Sequence, residues 1–260
     1  TVTITAEGQL SREIALEVRV LDFELSDRSH YGTEFNCYGD IGPGWKISHT
    51  WDTAALHDSL ERVVQRSLHE HRVYMNRMPY SHNPASQASF RCAPELSSGV
   101  GESLTISDWT EYDKRFGPYF DGSAFTGNPR SGVPIPFYYL PFHTEWPVRM
   151  PVPRDTTVFH DQNYIAGWTK IVTEFERHIN ERGWRLTAFF CYQNEKEHFG
   201  YVPWDLDEPT RPGDYRALNF FAGMFHQGLV GDGAAKMLYR CDMGHFSYMQ
   251  GELDEAVDIW

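Results

Sequence analysis

The sequence predicts an α/β fold: a (β/α)8 barrel of the TIM type, truncated after about six strands and preceded by the last strands of a β-sandwich. Strand-like and helix-like segments alternate with short connections, which favours parallel strands joined by crossover helices. No glycine-rich phosphate loop follows a first strand, and polar, acidic and aromatic residues recur just after the strand-like segments. Both features favour a barrel over an open doubly wound sheet.

The N-terminal segment contains two strand-like runs, residues 2–6 and 14–23, separated by a turn-like polar stretch. In the second run, apolar residues such as Leu16 and Val18 alternate with charged ones, which predicts a half-buried antiparallel strand. A loop rich in glycine, proline and aromatic residues follows over residues 26–49.

This change in composition marks a predicted domain boundary near residue 28. Residues 1–28 are expected to be the C-terminal strands of a β-sandwich domain, and residues 29–260 the barrel. The chain opens inside an alternating segment and stops inside a strand-like one, so both ends are expected to have been cut. The missing barrel strands would then lie beyond Trp260.

The barrel elements are predicted from the spacing of apolar residues. From Thr53 onwards, Leu56, Leu60 and Val64 recur at helical spacing with polar residues between them, which predicts a helix. The elements predicted after it are strands over residues 72–78 and 133–142, a helix over 164–182, a strand over 185–192, a helix over 215–225, and strands over 236–241 and 256–260.

Composition disfavours several classes of partner. The formal net charge of -13, with no local cluster of basic residues, disfavours nucleic acid as a partner. No apolar run reaches the roughly 18 residues of a membrane span, so membrane insertion is not expected. Neutral carbohydrate stays possible as a substrate, and the oligomeric state stays open.

Metal and cofactor chemistry are also not expected. No CxxC pair or HExxH string occurs, and both are common zinc-binding motifs. His143 and Glu145 are residue types that bind zinc, but two ligands alone do not indicate a site. The absence of GxSxG disfavours a serine hydrolase. Cys191 and Cys241 lie inside apolar runs and are expected to be buried thiols. The remaining cysteines are Cys37 and Cys92.

The strongest local motif is Asp207-Glu208-Pro209, which follows a predicted strand. Adjacent carboxylates repel each other, so their pKa values should separate, as an acid and an ionised partner require at a single pH. Pro209 is expected to hold Glu208 in an extended conformation. The alternative is an acidic loop that caps the following helix.

Other polar and aromatic residues follow the predicted strands and would gather at one mouth of a barrel. Carboxylates there would transfer protons and aromatic rings would stack on sugars. Glu195 is a further candidate acid, although it could instead pair with Lys196, just as Glu145 could pair with Arg149 and Asp242 could cap a helix. The predicted substrate-binding residues are Asn76, Tyr80, His143, Glu145, Trp146, Tyr192, Asn194, Trp204 and Asp242.

With these motifs, the chain resembles a bacterial family of glycoside-hydrolase-like barrels with an N-terminal β-sandwich, related to the β-N-acetylgalactosaminidases of glycoside hydrolase family 123. The resemblance covers nearly the whole chain. It rests on residues 18–25, on Glu70-His71-Arg72, on Asp207-Glu208-Pro209 and on residues 257–260.

The resemblance implies catalysis assisted by the substrate. Asp207 would orient the acetamido group of the sugar, and Glu208 would be the general acid and base. It also implies a secreted, cell-surface or periplasmic location. The sequence departs from the family pattern because residues 195–206 separate the pair from its strand, which leaves Glu195 as a rival acid.

Two alternatives stay open at this point. Glu195 could act with Glu208 or Asp242, as separated carboxylates, on a sugar that has no acetamido group. The chain could also be a barrel that binds carbohydrate without turning it over.

Overall fold

A computed structural model describes residues 2–5, 11–29, 32–36, 54–76, 93–231, 233–242, 244 and 251–260. The α-helices of this part are α1 (Ala54–Glu70), α2 (Thr110–Phe120), α3 (Gln162–Arg182) and α4 (Pro212–Gly228). The strands are β1 (Val2–Ile4), β2 (Arg12–Ile14), β3 (Glu34–Asn36), β4 (Tyr74–Asn76), β5 (Glu95–Leu96), β6 (Ile106–Asp108), β7 (Phe137–Tyr139), β8 (Ala188–Tyr192) and β9 (Met237–Arg240).

The prediction of an eight-stranded barrel, truncated after six strands, is wrong for the described residues. Their strands form four small sheets: three two-stranded sheets and one parallel sheet in the order β7-β8-β9. In that sheet Phe137 pairs with Ala188, and Tyr192 pairs with Arg240. Helices α3 and α4 connect its strands in sequence. The β3–β4 pair is also parallel, but it shares no ladder with β7.

The strands are shorter than predicted, and proline explains the clearest case. The strand expected over residues 133–142 forms a ladder only at Phe137–Tyr139. Pro134, Pro136 and Pro141 flank this ladder, and proline has no backbone N–H to donate to a neighbouring strand. The strand expected over residues 256–260 is reduced to a single parallel bridge between Arg240 and Ile259.

The predicted β-sandwich is not formed by the described N-terminal residues. Strand β2 ends at Ile14, where the long strand was expected to begin, and it pairs antiparallel with β1 alone. Leu16, Val18 and Val20 lie outside any strand and are exposed. Their alternating pattern is typical of a strand. A strand also requires a hydrogen-bonded neighbour, and the local sequence does not specify one. The boundary at residue 28 stays a prediction.

Three helices are confirmed near their predicted limits. The carboxylate of Asp161 caps α3 by accepting the backbone N–H groups of Asn163 and Tyr164. Gly183 ends α3 with a left-handed φ of 71°, which glycine adopts without strain. Helix α4 begins three residues earlier than predicted, with Pro212 in its first turn. No helix among the described residues is long and apolar enough to cross a bilayer.

An aromatic core lies between the parallel sheet and helices α2, α3 and α4. Trp168 and Phe175 of α3 pack on Phe142, which follows β7, and all three side chains are buried. Phe120 of α2 packs edge to face on Phe189 of β8. This packing holds the carboxyl ends of β7, β8 and β9 side by side, which places the residues that follow them at one edge.

Candidate functional site

Polar side chains meet at the carboxyl ends of β8 and β9. The hydroxyl of Tyr192, the last residue of β8, lies 2.8 Å from Asp207 Oδ1 and 3.1 Å from Asp242 Oδ2. Arg240 of β9 contacts Asp242 at 2.9 Å, and its guanidinium carbon lies 5.1 Å from the centre of the Tyr192 ring. We call this group the Tyr192 cluster. Its members are Tyr192, Lys196, Asp207, Glu208, Arg240 and Asp242.

A closed loop explains how Asp207 reaches the end of β8. Residues 193–206 separate Asp207 from the end of β8 in sequence, but the Leu206 N–H donates to the Glu195 carbonyl at 2.8 Å and closes residues 196–205 into a loop. Within the loop, the Glu197 N–H donates to Asp205 Oδ1 at 2.9 Å. The chain therefore leaves and returns at one point, and the long insertion does not move Asp207 away from the strand.

The same loop is attached to the start of α4. Arg211 lies 2.7 Å from Glu197 Oε2 and 3.1 Å from the buried carboxylate of Asp214. Asp214 in turn accepts the backbone N–H of Asp205 at 3.1 Å. These contacts hold the loop against the helix, so the residues that follow it have a defined position.

Lys196 joins the two carboxylates of the Asp-Glu pair. Its Nζ lies 2.7 Å from Glu208 Oε2 and 3.3 Å from Asp207 Oδ2. Burial alone would lower the pKa of Lys196, but the contact with Glu208 and the charge of Asp207 outweigh burial, so this pKa is raised. The ammonium group therefore stays charged between the two carboxylates.

The surroundings of Asp207 raise the pKa of its carboxyl group. Burial raises the pKa of this carboxyl group, the hydrogen bond from Tyr192 and the charge of Lys196 lower it, and the charge of Asp242 raises it again. The Tyr192 hydroxyl has one proton, so it can donate to Asp207 or to Asp242 but not to both at once.

Glu208 has an unusual backbone conformation. Its φ is 58°, so the expectation of an extended residue before Pro209 is wrong. The left-handed region costs a residue with a side chain about 1–2 kcal/mol, which local contacts must offset. The ion pair with Lys196 is one such contact. Gly244 packs against Glu208: a Cβ atom placed at Gly244 would lie 3.1 Å from the Glu208 Cβ, so a larger residue there would crowd Glu208.

Glu195 lies apart from the Tyr192 cluster and is fully buried. Its Oε1 accepts the backbone N–H of Thr144 at 2.9 Å, which ties the end of β8 to the segment after β7. Within the described part of the chain, its Oε2 has no hydrogen-bond partner. Burial is the main cause that raises the pKa of Glu195. Its side chain is closed to solvent in this conformation, so it does not occupy the position expected of an acid that meets a sugar.

Replacing Glu195 with Gln should change the pH dependence of stability. An unfolded carboxyl group titrates near pH 4.5, and folding raises this pKa. Above pH 4.5 the unfolded state has lost a proton that the folded state keeps, so the free energy of unfolding falls as pH rises, until the folded group has also titrated. Gln does not titrate, so its free energy of unfolding does not fall with pH for this reason. We expect Glu195→Gln to be more stable than the parent at pH 8 by about 1–2 kcal/mol, and to lose this advantage near pH 4.

Urea denaturation across this pH range measures the effect. Glu181→Gln, at an exposed position of α3, is the matched control and should leave the profile almost unchanged. A stability difference for Glu195→Gln that does not vary with pH would show that the pKa of Glu195 is the same in the folded and unfolded protein.

His143 and Glu145 have structural partners. Burial lowers the pKa of His143 to about 3, so the ring is neutral, and its Nδ1 accepts the Glu145 N–H at 3.1 Å. Glu145 pairs with Arg149 at 3.5 Å, as the sequence suggested, and more closely with Arg154 at 2.9 Å. Burial raises the pKa of Glu145, and the two arginines oppose this.

The two candidate sugar-stacking tryptophans are buried. Trp146 packs on Phe142, and Trp204 stacks on Phe159 with 5.4 Å between ring centroids. A stacking platform needs an open ring face, which neither side chain offers here. Both rings contribute to the hydrophobic core instead.

The other predicted site residues are Asn194, Asn76 and Tyr80. Asn194 is buried beside Glu195. Asn76 ends β4, its side chain lies outside the described part, and Tyr80 lies outside it entirely. Sequence reasoning missed Lys196 and Arg240 as members of the site. The basic residue directly after Glu195 was a usable signal, but it was considered only as a partner of Glu195.

Among the described residues, no group of three or more His, Cys, Asp or Glu side chains could hold a metal ion. Cys191 and Cys241 are buried free thiols, and burial raises the pKa of both; Cys37 and Cys92 lie outside the described residues. The chain matches no protein-family model, no curated protein and no solved structure. Its function is therefore inferred from the geometry of the Tyr192 cluster and from the sequence motifs that form it.

Proposed function

We propose that this chain carries a glycoside hydrolase active site at the Tyr192 cluster, with Asp207 and Glu208 as the reacting pair. One observation supports this above the others. Three carboxylates of graded exposure meet at the strand ends: the side chains of Asp207, Asp242 and Glu208 are 7%, 31% and 53% exposed. Glycoside hydrolysis requires carboxyl groups in such unequal environments.

The roles follow from exposure and contacts. Glu208 is open to solvent, so its carboxylate can take up a proton from water and donate it to a glycosidic oxygen. Asp207 is buried and held by Tyr192 and Lys196, which suits a group that orients the substrate rather than one that exchanges protons with water. Its partner would be the acetamido N–H of an N-acetylhexosamine.

The proposed reaction has two steps. The acetamido oxygen attacks the anomeric carbon while Glu208 gives its proton to the leaving oxygen, so the glycosidic bond breaks and a cyclic oxazoline or oxazolinium intermediate forms. Water then attacks the same carbon, Glu208 takes a proton from that water, and the acetamido group is restored. The protein supplies a proton donor and an orienting carboxylate, and the sugar supplies the nucleophile.

The alternative based on Glu195 has less support. Glu195 is buried and bound to the Thr144 N–H, whereas Asp242 shares the Tyr192 hydroxyl with Asp207. Asp207 Oδ1 and Asp242 Oδ2 lie 2.8 Å and 3.1 Å from the same hydroxyl, so these two oxygens are less than about 6 Å apart, a limit that admits the spacing of about 5–5.5 Å in retaining pairs. A retaining mechanism on a sugar without an acetamido group would use these two residues and is the second candidate.

A substrate series separates the two candidates. We expect the chain to hydrolyse aryl N-acetyl-β-galactosaminides, with kcat/KM falling about tenfold or more as the acetyl group is changed to trifluoroacetyl, because fluorine weakens the acetamido nucleophile. Equal rates across the fluorinated series, or faster hydrolysis of aryl β-galactosides, would favour the Asp207–Asp242 mechanism. No turnover of either class would contradict the hydrolase proposal.

Asp207→Asn tests the orienting residue in the same assay. We expect kcat/KM on the acetamido substrate to fall about 100-fold, because an amide can accept the Tyr192 hydrogen bond but brings no negative charge to the acetamido N–H. Asp205→Asn, two residues earlier and also bonded to its own loop, is the matched control. A similar loss in both variants would indicate damage to the loop rather than to the site.

A further inference from the structure

A basic cavity lies at the opposite edge of the parallel sheet, where β7 and β8 begin. Its volume is about 220 Å³, and three of its lining side chains are arginines, Arg28, Arg130 and Arg185. The remaining lining residues are neutral: Ser29, Val133, Pro134, Ile135, Pro136, Leu186 and Thr187. A cavity needs only roughly 10–15 Å³ of accessible volume to admit one water molecule, so this one has room for a polyatomic ion.

Arg130 is held rigidly in the wall of this cavity. It is buried, its Nε donates to the Asp27 carbonyl at 2.7 Å, and its Nη1 donates to the His69 carbonyl at 2.8 Å. Its Nη2 lies 3.4 Å from Ser29 Oγ. These bonds fix the plane of the guanidinium group, but their acceptors carry no net charge.

The positive charge of the cavity is poorly compensated. Within the described part of the chain, the hydrogen bonds of Arg130 and Arg185 go to backbone carbonyls and to the Ser29 hydroxyl, not to carboxylates. Burial lowers the pKa of Arg130, the nearby charge of Arg72 acts in the same direction, and Asp27 opposes them. Arg130 is thus a buried cation that feels the like charge of Arg72, and an anion bound beside it would relieve this repulsion.

The geometry points to a binding site for a tetrahedral oxyanion, a phosphate or sulfate group, in this cavity. Guanidinium groups donate paired N–H bonds that match the oxygens of such groups, and their charge strengthens those bonds. The overall charge of the chain is -13, so long-range attraction cannot explain anion binding, and the site must select its ligand locally. The site is independent of the Tyr192 cluster, which lies at the other ends of the strands.

The proposal is tested by titrating the chain with inorganic phosphate while chloride keeps the ionic strength constant. We expect saturable binding by calorimetry and a matching rise in the unfolding midpoint. The double variant Arg28→Gln/Arg185→Gln should raise Kd at least about tenfold, because two charge-assisted contacts are lost. Both arginines are exposed, so the variant should fold, whereas Arg130 also supports the fold and is left in place.

Arg216→Gln is the matched control, since it removes a charge from an exposed position of α4, away from the cavity. Phosphate binding should be unchanged in this variant. Absence of saturable binding by the parent chain, or equal affinity in the double variant, would overturn the proposal. Sulfate and phenyl phosphate are the further probes: tighter binding of phenyl phosphate would identify an ester as the ligand, and preference for the inorganic ions would identify a free oxyanion.

Discussion

Glu208→Gln is expected to lower kcat/KM for an aryl N-acetyl-β-galactosaminide by about 100- to 10,000-fold, the usual contribution of a general acid. Gln has the same shape and can still accept a hydrogen bond from Lys196, but it has no proton to give to the leaving oxygen. Because Glu208 is half exposed, the unfolding midpoint of the variant should stay close to that of the parent.

The leaving group makes this prediction specific. A dinitrophenol departs without protonation, so the variant should retain most of its activity on a dinitrophenyl substrate and lose it on a substrate with a poor leaving group. Glu197→Gln is the control, because Glu197 is equally exposed in the same segment but pairs with Arg211. An equal loss on both substrates would remove Glu208 from the role of acid.

Local periodicity was sufficient to predict the larger elements. Helices α1, α3 and α4, and the positions of β8 and β9, follow from spacings that each segment contains within itself. Closure into a barrel was predicted wrongly, because it depends on which strands pair over long distances. The exposed alternating run at Leu16 and Val18 shows the same limit: its pattern is typical of a strand, but among the described residues no strand pairs with it.

The candidate site shows a similar division. Tyr192 and Asp242 were selected for their positions at strand ends and Asp207 for its Asp-Glu-Pro motif, and the structure brings these three together at one edge. The closing hydrogen bond from Leu206 to the Glu195 carbonyl could not be predicted, since any residue can provide backbone groups. Residue type does not reveal whether a carboxylate is buried or exposed, so only the folded structure distinguishes the buried Glu195 from the exposed Glu208.

Trp204→Ala is expected to lower the free energy of unfolding by about 3–5 kcal/mol, the usual cost of removing a large aromatic side chain from a core. The Trp204 ring is buried against Phe159 and Phe221, so its loss leaves a cavity that the neighbouring helices can only partly fill. Urea denaturation measures this change. Trp260→Ala, at an exposed position, is the control and should cost less than about 1 kcal/mol.

The same variant decides whether Trp204 binds sugar, as the sequence suggested. A core role predicts that the folded fraction of Trp204→Ala keeps a KM near that of the parent, since the ring has no open face toward solvent. A stacking role predicts the reverse: a marked rise in KM with little loss of stability, because exposed rings contribute to sugar contacts rather than to the core. The second result would mean that the loop of residues 196–205 opens when substrate binds, since only then could the Trp204 ring meet a sugar.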